Sequence, residues 1–379
     1  MSRRSHREPD AGSGCASQPI GTSVPFPSPT MIRPLLFVLV PCSLAIAQHT
    51  QPGPSVIRRV PQDFGTIQQA IDISNNGDTV LVTMSQDYFE SPNVDKDIKV
   101  TAKANSGPGV LRGRFVLNGV GAGMQLRGFT ITNPSVPQDG GGILVVGGFP
   151  VIRECTITGC TALEFGGGIA VFSGGPDVKN CKITDNHARG GGGIYVLHSA
   201  NMLVLNSLVK DNTAIDEVSS NGGGIYVDAG DLWVRNCTIV GNVLDNQVPH
   251  GGGMYCTGID GALTVALDNS IVWGNVTGPF STQVQVDAFC TFTVGHSDIM
   301  GGQLAGFSVS FLGTLNFGAG NISLDPQFNA DGYHIPNFSP CINTGLTSLM
   351  TPGEVDIDLQ SRLFSTNIDM GCDEFVIAP

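Results

Sequence analysis

Charge is what this chain has least of. Lys, Arg, Asp and Glu make up 13% of its 379 residues, about half the roughly 25% usual in a globular domain. Between Arg235 and Arg362 there is no Lys or Arg at all, while ten Asp and Glu residues fall in that interval. With a formal net charge of −13, the chain lacks the basic footprint that nucleic acid requires, and no such partner is expected. No CxxC pair or His-bearing equivalent occurs, which excludes zinc sites of the usual spacing. Neither an EF-hand loop nor a nonapeptide calcium repeat is present. One apolar run, Leu35 to Ala47, stands out, and it is too short to span a bilayer. Glycine is abundant, at 51 residues, but without the Gly-X-Y period that collagen demands.

What is there is a repeat. Gly-Gly-Gly triplets begin at Gly140, Gly166, Gly191, Gly222 and Gly251, each followed by Ile or Met. A second motif runs in phase with them: Phe129-Thr130-Ile131-Thr132, Cys155-Thr156-Ile157-Thr158, Cys181-Lys182-Ile183-Thr184, Ser207-Leu208-Val209-Lys210, Cys237-Thr238-Ile239-Val240 and Ser270-Ile271-Val272-Trp273. Within each motif apolar or small residues alternate with polar ones, the period of a half-buried strand. Recurrence every 25 to 33 residues is the mark of a solenoid. The expectation is an all-β parallel β-helix with three strands per rung and glycines at the corners, where backbones approach closely. Asn180, Asn206, Asn236 and Asn269 share one repeat position, and Asn186, Asn212, Asn242 and Asn275 another. Parallel strands stack about 4.8 Å apart, so such residues form columns whose amides can bond rung to rung. Cys155, Cys181 and Cys237 share a position with Ser207 and Ser270, which reads as a ladder of small buried side chains.

The ends differ from the repeat. Residues 1–30 are polar and rich in Pro and Ser, and they are expected to be disordered, the product of a start codon assigned too early. Residues 31–47 have the basic start, apolar run and Ala45-Ile46-Ala47 of a secretory signal peptide. That implies an exported, extracellular or surface protein, in which the eight cysteines left after cleavage are permitted to pair. Thr66 with Gln69 forms a capping box ahead of the stripe Ile67, Ala70 and Ile71, so a short helix is expected to plug the first rung.

Val60-Pro61-Gln62-Asp63-Phe64-Gly65-Thr66-Ile67-Gln68-Gln69-Ala70-Ile71 resembles the N-terminal cap of secreted right-handed parallel β-helix proteins of the pectin-lyase-like superfamily. The rungs resemble the Gly-Gly-x-Ile repeats of polymorphic outer membrane protein adhesins, although no C-terminal membrane barrel follows. These resemblances imply a right-handed β-helix with its cap over 58–322 and a C-terminal cap over 323–379. Asp356-Ile357-Asp358 and Asp369-Met370-Gly371-Cys372-Asp373-Glu374-Phe375 resemble the closing segment of secreted bacterial β-helix proteins, with Leu359 in place of a usual Gly. In such segments the positions of Cys341 and Cys372 usually carry Ala. Two cysteines there imply that the sites touch and form a disulfide. The carboxylates are expected to bond to backbone and to Arg362, with Asp356, Asp358, Asp369 and Asp373 as candidate calcium ligands.

Three functions compete: a non-catalytic, adhesin-like binder of polysaccharide or surface glycan, which the sequence favours; a polysaccharide lyase, hydrolase or epimerase; and a structural spacer. The polygalacturonase-type set of acidic and basic motifs is absent, and Gly295-His296-Ser297 has none of its partners. Lys182, Asp185, Lys210 and Asp211 cluster on two rungs and are the candidates for acid-base chemistry. Arg127, Arg153 and Lys179, with Arg235 further on, should form an outward basic stripe for an acidic glycan. Pairing with Glu154 and Asp177 is the alternative. Tyr195, Tyr226 and Tyr255 should form an outward column, either a structural ladder or a glycan platform, and Trp273 is a further ligand contact. The chain is expected to act as a monomer and to need no cofactor other than the candidate calcium.

Overall fold

A computed structural model describes residues 55–215, 221–245, 251–258, 261–278 and 282–376. The segments expected to be disordered leader and signal peptide, 1–30 and 31–47, lie outside the described residues. All strand pairs between the named strands are parallel, and equivalent residues of successive repeats sit opposite one another. Ile157 pairs with both Ile131 and Ile183, and the column continues through Val209, Ile239 and Val272 to Ile299. Each of these side chains is fully buried, because alternation along a strand sends every second residue inward.

The strands stack into three long sheets. One has eleven strands, from Ile57–Val60 to Thr314–Phe317; one has nine, from Asn93–Val94 to Phe307–Val309; one has eight, from Leu111–Arg112 to Asp298–Ile299. Three strands per rung therefore holds for the long sheets. The middle rungs add a fourth: His187–Ala188, Thr213–Ile215, Val243–Asp245 and Val276–Thr277 form a short sheet of their own. Among the described residues no helix is long and apolar enough to cross a membrane.

The glycine corners have a plain steric cause. Gly166 has φ of +67°, a left-handed conformation that L side chains rarely adopt, and a Cβ on Gly167 would lie 2.4 Å from the His187 carbonyl oxygen. Beneath the corner runs one of the two asparagine columns. Asn186 Nδ2 donates to Asn212 Oδ1 at 2.9 Å, Asn212 to Asn242 at 2.9 Å and Asn242 to Asn275 at 2.8 Å. Each of these four asparagines is wholly buried.

At the first rung the expected helix spans Ile67–Asp72, with Thr66 Oγ1 accepting the Gln69 amide at 3.1 Å and Ile67, Ala70 and Ile71 buried. Glu90 accepts the Ile67 and Gln68 amides, completing the cap that a helix start needs. The first strand, Ile57–Val60, precedes this helix and pairs with Thr79–Val82.

The C-terminal segment departs from expectation. It does not cap the last rung; it turns back and lies as a strap along the outer face of the eight-stranded sheet. Asn180 Nδ2 donates to the carbonyl oxygens of Val355 at 3.0 Å and Asp356 at 2.6 Å, and Asn206 and Asn236 both donate to Glu354 Oε1. Asn269 exchanges hydrogen bonds with Leu346. The second asparagine column thus grips the strap instead of bonding rung to rung. The reason is apolar: outward Leu208, Val240 and Ile271 are buried against Phe328, Ile335, Ile357, Met370 and Cys372. That face would otherwise be an exposed hydrophobic stripe.

Candidate functional site

The residues singled out from the sequence fall on three surfaces. On the outer face of the eleven-stranded sheet, Arg153 stands between Arg127 and Lys179 in strict register. The next two positions of the column are Leu205 and Arg235, so the stripe is three cations long before it is interrupted. Their side chains are 47%, 38% and 33% exposed. Glu154 pairs with both arginines, at 2.7 Å from Arg127 and 2.8 Å from Arg153, while Lys179 pairs with Asp177 at 2.7 Å. Two carboxylates therefore answer three cations. Arg235 is withdrawn from the stripe, its Nη1 donating to the Leu349 carbonyl oxygen of the strap at 3.0 Å.

A cleft of about 570 Å³ opens at the N-terminal end of this stripe, with Lys103, Arg127 and Glu154 in its wall. At the other end a shallower depression of about 360 Å³ is formed by Asp177, Asn201, Leu203, Trp233 and Arg235. Trp233 was not among the residues expected here. The signal for it was in the strand Gly230–Arg235, where buried Leu232 and Val234 alternate with half-exposed Trp233 and Arg235.

On the nine-stranded sheet, Tyr195, Tyr226 and Tyr255 do stack in register, with ring centroids 5.2 Å apart at both steps. They are not a platform. All three are buried, in a cluster with Ala170, Phe165 and Phe172, and Tyr195 and Tyr255 donate to Asp228 and Asp287. Burial raises each phenol above its ordinary pKa, so the hydroxyls stay protonated. Trp273, expected as a ligand contact, packs half-buried against the strap with Phe328 and Met370.

Between the strap and the eight-stranded sheet lies the third group. Lys182 Nζ is 2.9 Å from Tyr333 OH and 3.4 Å from Asp358 Oδ1. Burial lowers its pKa, but the Tyr333 hydrogen bond and the Asp358 charge outweigh this and hold it above the usual lysine value. An ammonium held in that state is a poor general base. Lys210 pairs with its neighbour Asp211. Asp185 and Asp211 occupy equivalent left-handed corners, with φ of 56° and 54°.

The expected calcium set also divides. Asp356 accepts the amides of Asp358, Gln360 and Glu374, and Asp369 those of Asn343 and Phe375. Both are consumed in holding the strap's own backbone, as is Arg362, which donates to the carbonyl oxygens of Asp369 and Gly371. Asp358 and Asp373 instead face His334, a residue that lies in the aperiodic segment and that the sequence did not bring forward.

The cysteines are corrected as well. Cys341 and Cys372 are buried free thiols. Cys341 packs with Ile271, Ile335 and Met370, its Sγ 3.3 Å from Asp298 Oδ2, whereas Cys372 packs with Leu208, Val240 and Ile357. The disulfide joins Cys256 to Cys290, tying a strand of the nine-stranded sheet to one of the eleven-stranded sheet through the interior. Cys155, Cys181 and Cys237 are buried free thiols in the expected ladder, with Ser207 and Ser270 hydroxyls accepting the amides of Cys181 and Cys237.

No curated protein matches this chain. Among solved structures, the crystal structure of pectate lyase Pel9A aligns with a TM-score of 0.36 at 15% identity, covering 81% of this chain and 90% of that one. A family model described as right handed beta helix region matches residues 99–282 and, overlapping them, 177–318. With more than half of its length matched and its strands stacked in parallel rungs, the chain belongs to the right-handed β-helix family.

Proposed function

We propose that this is an exported β-helix protein that binds an acidic polysaccharide or surface glycan, without turnover, along the outer face of its eleven-stranded sheet. The observation that carries the reading is the register of Arg127, Arg153 and Lys179 on three consecutive rungs. Like charges one rung apart work against folding, and here two carboxylates offset three cations, leaving an excess of positive charge on a chain of net −13. Such an excess focuses an anion on that face. The cleft at Lys103 and Arg127 and the half-exposed Trp233 extend the surface at either end, and an aromatic ring beside cations suits a sugar that is apolar on its faces and charged at its rim.

The test is retention of the exported chain on an immobilised polyuronate and on a neutral glucan across a salt series. R127Q/R153Q/K179Q should weaken polyuronate binding by about tenfold to a hundredfold, at roughly 0.5–1 kcal/mol per exposed charge, and should flatten its salt dependence. Retention that is indifferent to both salt and substitution would sink the reading. Unsaturated or reducing ends released in the same incubation would make the protein an enzyme instead.

A further inference from the structure

We propose that His334, Asp358 and Asp373 form a site for one divalent transition-metal cation, of the class of Zn²⁺, on the flank of the solenoid. His334 Nε2 or Nδ1 and one carboxylate oxygen from each aspartate lie within 4.8 Å of one another, although the three residues come from separate stretches of the strap. Asp358 Oδ2 contacts His334 Nε2, and Asp373 Oδ1 faces the same nitrogen at 3.9 Å. The other ring nitrogen is already committed. Nδ1 lies 2.5 Å from Asp331 Oδ2, and Asp331 Oδ1 accepts the Tyr333 and His334 amides. An ionised carboxylate has no proton to give, so Nδ1 carries the hydrogen and donates it.

Nε2 faces two further carboxylate oxygens, and a proton or a cation is required between them. A divalent cation at that point replaces the proton and takes all three atoms as ligands. A carboxylate holding the distal N–H of a histidine is the arrangement that aims imidazole at a metal. A second observation points the same way. The Asp373 side chain is only 8% exposed, and its hydrogen bond, from the Ile335 amide at 3.0 Å, goes to Oδ2. Oδ1 is left facing the cluster, 3.9 Å from His334 Nε2. Lys182 engages Asp358 through Oδ1, which leaves Oδ2 to the cation. One imidazole with two carboxylates suits Zn²⁺ or Mn²⁺ better than Ca²⁺, whose ligands are oxygens.

The rival occupant is a proton on Nε2. Calorimetric titration of Zn²⁺ into the tag-free, chelator-stripped chain at neutral pH decides between them. One equivalent should bind to the wild type and to Asp185→Asn, none to His334→Ala or Asp373→Asn, and Asp331→Asn should bind about tenfold to a hundredfold more weakly. Should the ligand variants fail to fold, the wild type still answers. Diethylpyrocarbonate labelling read by mass spectrometry should show Zn²⁺ protecting His334, with the other histidines as internal reference. No heat at millimolar Zn²⁺, or a His334 labelled equally with and without the metal, would overturn the site and leave a protonated imidazole in its place.

Discussion

Asn212 uses every hydrogen-bonding position it has. Its Oδ1 accepts from the Asn186 amide and Asn186 Nδ2, and its Nδ2 donates to the Ile183 carbonyl oxygen and Asn242 Oδ1. Asn212→Ala strips a partner from four buried groups and should lower the unfolding free energy by about 3 kcal/mol, below the simple sum because neighbouring rungs relax. Asn206 in the other column makes one strap contact, at 3.2 Å to Glu354, and its φ of 49° suits glycine. Asn206→Gly should therefore lose less, about 1–2 kcal/mol, because relief of the left-handed backbone offsets part of one hydrogen bond to a charged group, and equal losses in denaturant midpoints would mean that the two columns are not distinct in kind. Asp298 carries a different prediction. Burial first, against hydrogen bonds from Leu324 and Cys341, pushes its pKa from 3.8 to about 6. A raised carboxylate pKa means stability that is complete below the unfolded value and is lost as pH rises through the folded one. Asp298→Asn should gain on the wild type by about 3 kcal/mol as pH climbs from below 3.8 to above 6. A stability difference that stays constant across that range would show that the carboxylate is not buried as described.

At the scale of elements, the strap and the tyrosine ladder show what the outward positions are for. Glu354 is the hinge pin of the strap: Oε1 accepts from Asn206 and Asn236, and Oε2 from the amide and hydroxyl of Thr351. Hydrogen bonds to a charged partner contribute about 1.5–3 kcal/mol. Glu354→Ala should accordingly speed hydrogen exchange and proteolysis of the strap by about tenfold to a hundredfold, with the rungs still protected. Loss of protection throughout the rungs would mean that the strap is integral to the solenoid and not docked on it. In the ladder, Tyr226 is flanked by two rings at 5.2 Å. Tyr226→Ser should cost about 3–4 kcal/mol by cavity formation while leaving polyuronate retention unchanged. A drop in retention at unchanged melting temperature would restore the platform that burial removes.

For the molecule as a whole, the Cys256–Cys290 bridge closes a loop of sequence separation 34. Loop-closure entropy assigns it about 4 kcal/mol, so the Cys256→Ser/Cys290→Ser pair should melt well below the wild type. Peptide mapping without reductant should find Cys341 and Cys372 alkylated. The register of the rungs was open to sequence reasoning because a repeat places residue i beside its equivalents in the next turn, so period alone encodes contact. This is why the inward Ile column, the rung-to-rung column of Asn186, Asn212, Asn242 and Asn275, the Cys and Ser ladder and the Thr66 cap could be read directly, and why Arg127, Arg153 and Lys179 could be aligned.

Where the period stops, contact has to be found by packing. The strap meets the rungs across separations that reach 176 residues, chosen by which outward apolar side chains need cover. Nothing between Ser323 and Phe375 repeats to announce that choice. That the strap engages Arg235 and packs on Trp273 was hidden for the same reason, since alternation tells inside from outside of a strand but not what lies upon it. Thus the sequence by itself determined the coil, its register and its N-terminal cap, each a matter of local sterics and period. Only the tertiary structure decided that the closing segment lies on the flank, that Cys256 meets Cys290, and that His334 meets Asp358 and Asp373, because each joins segments whose spacing follows no repeat.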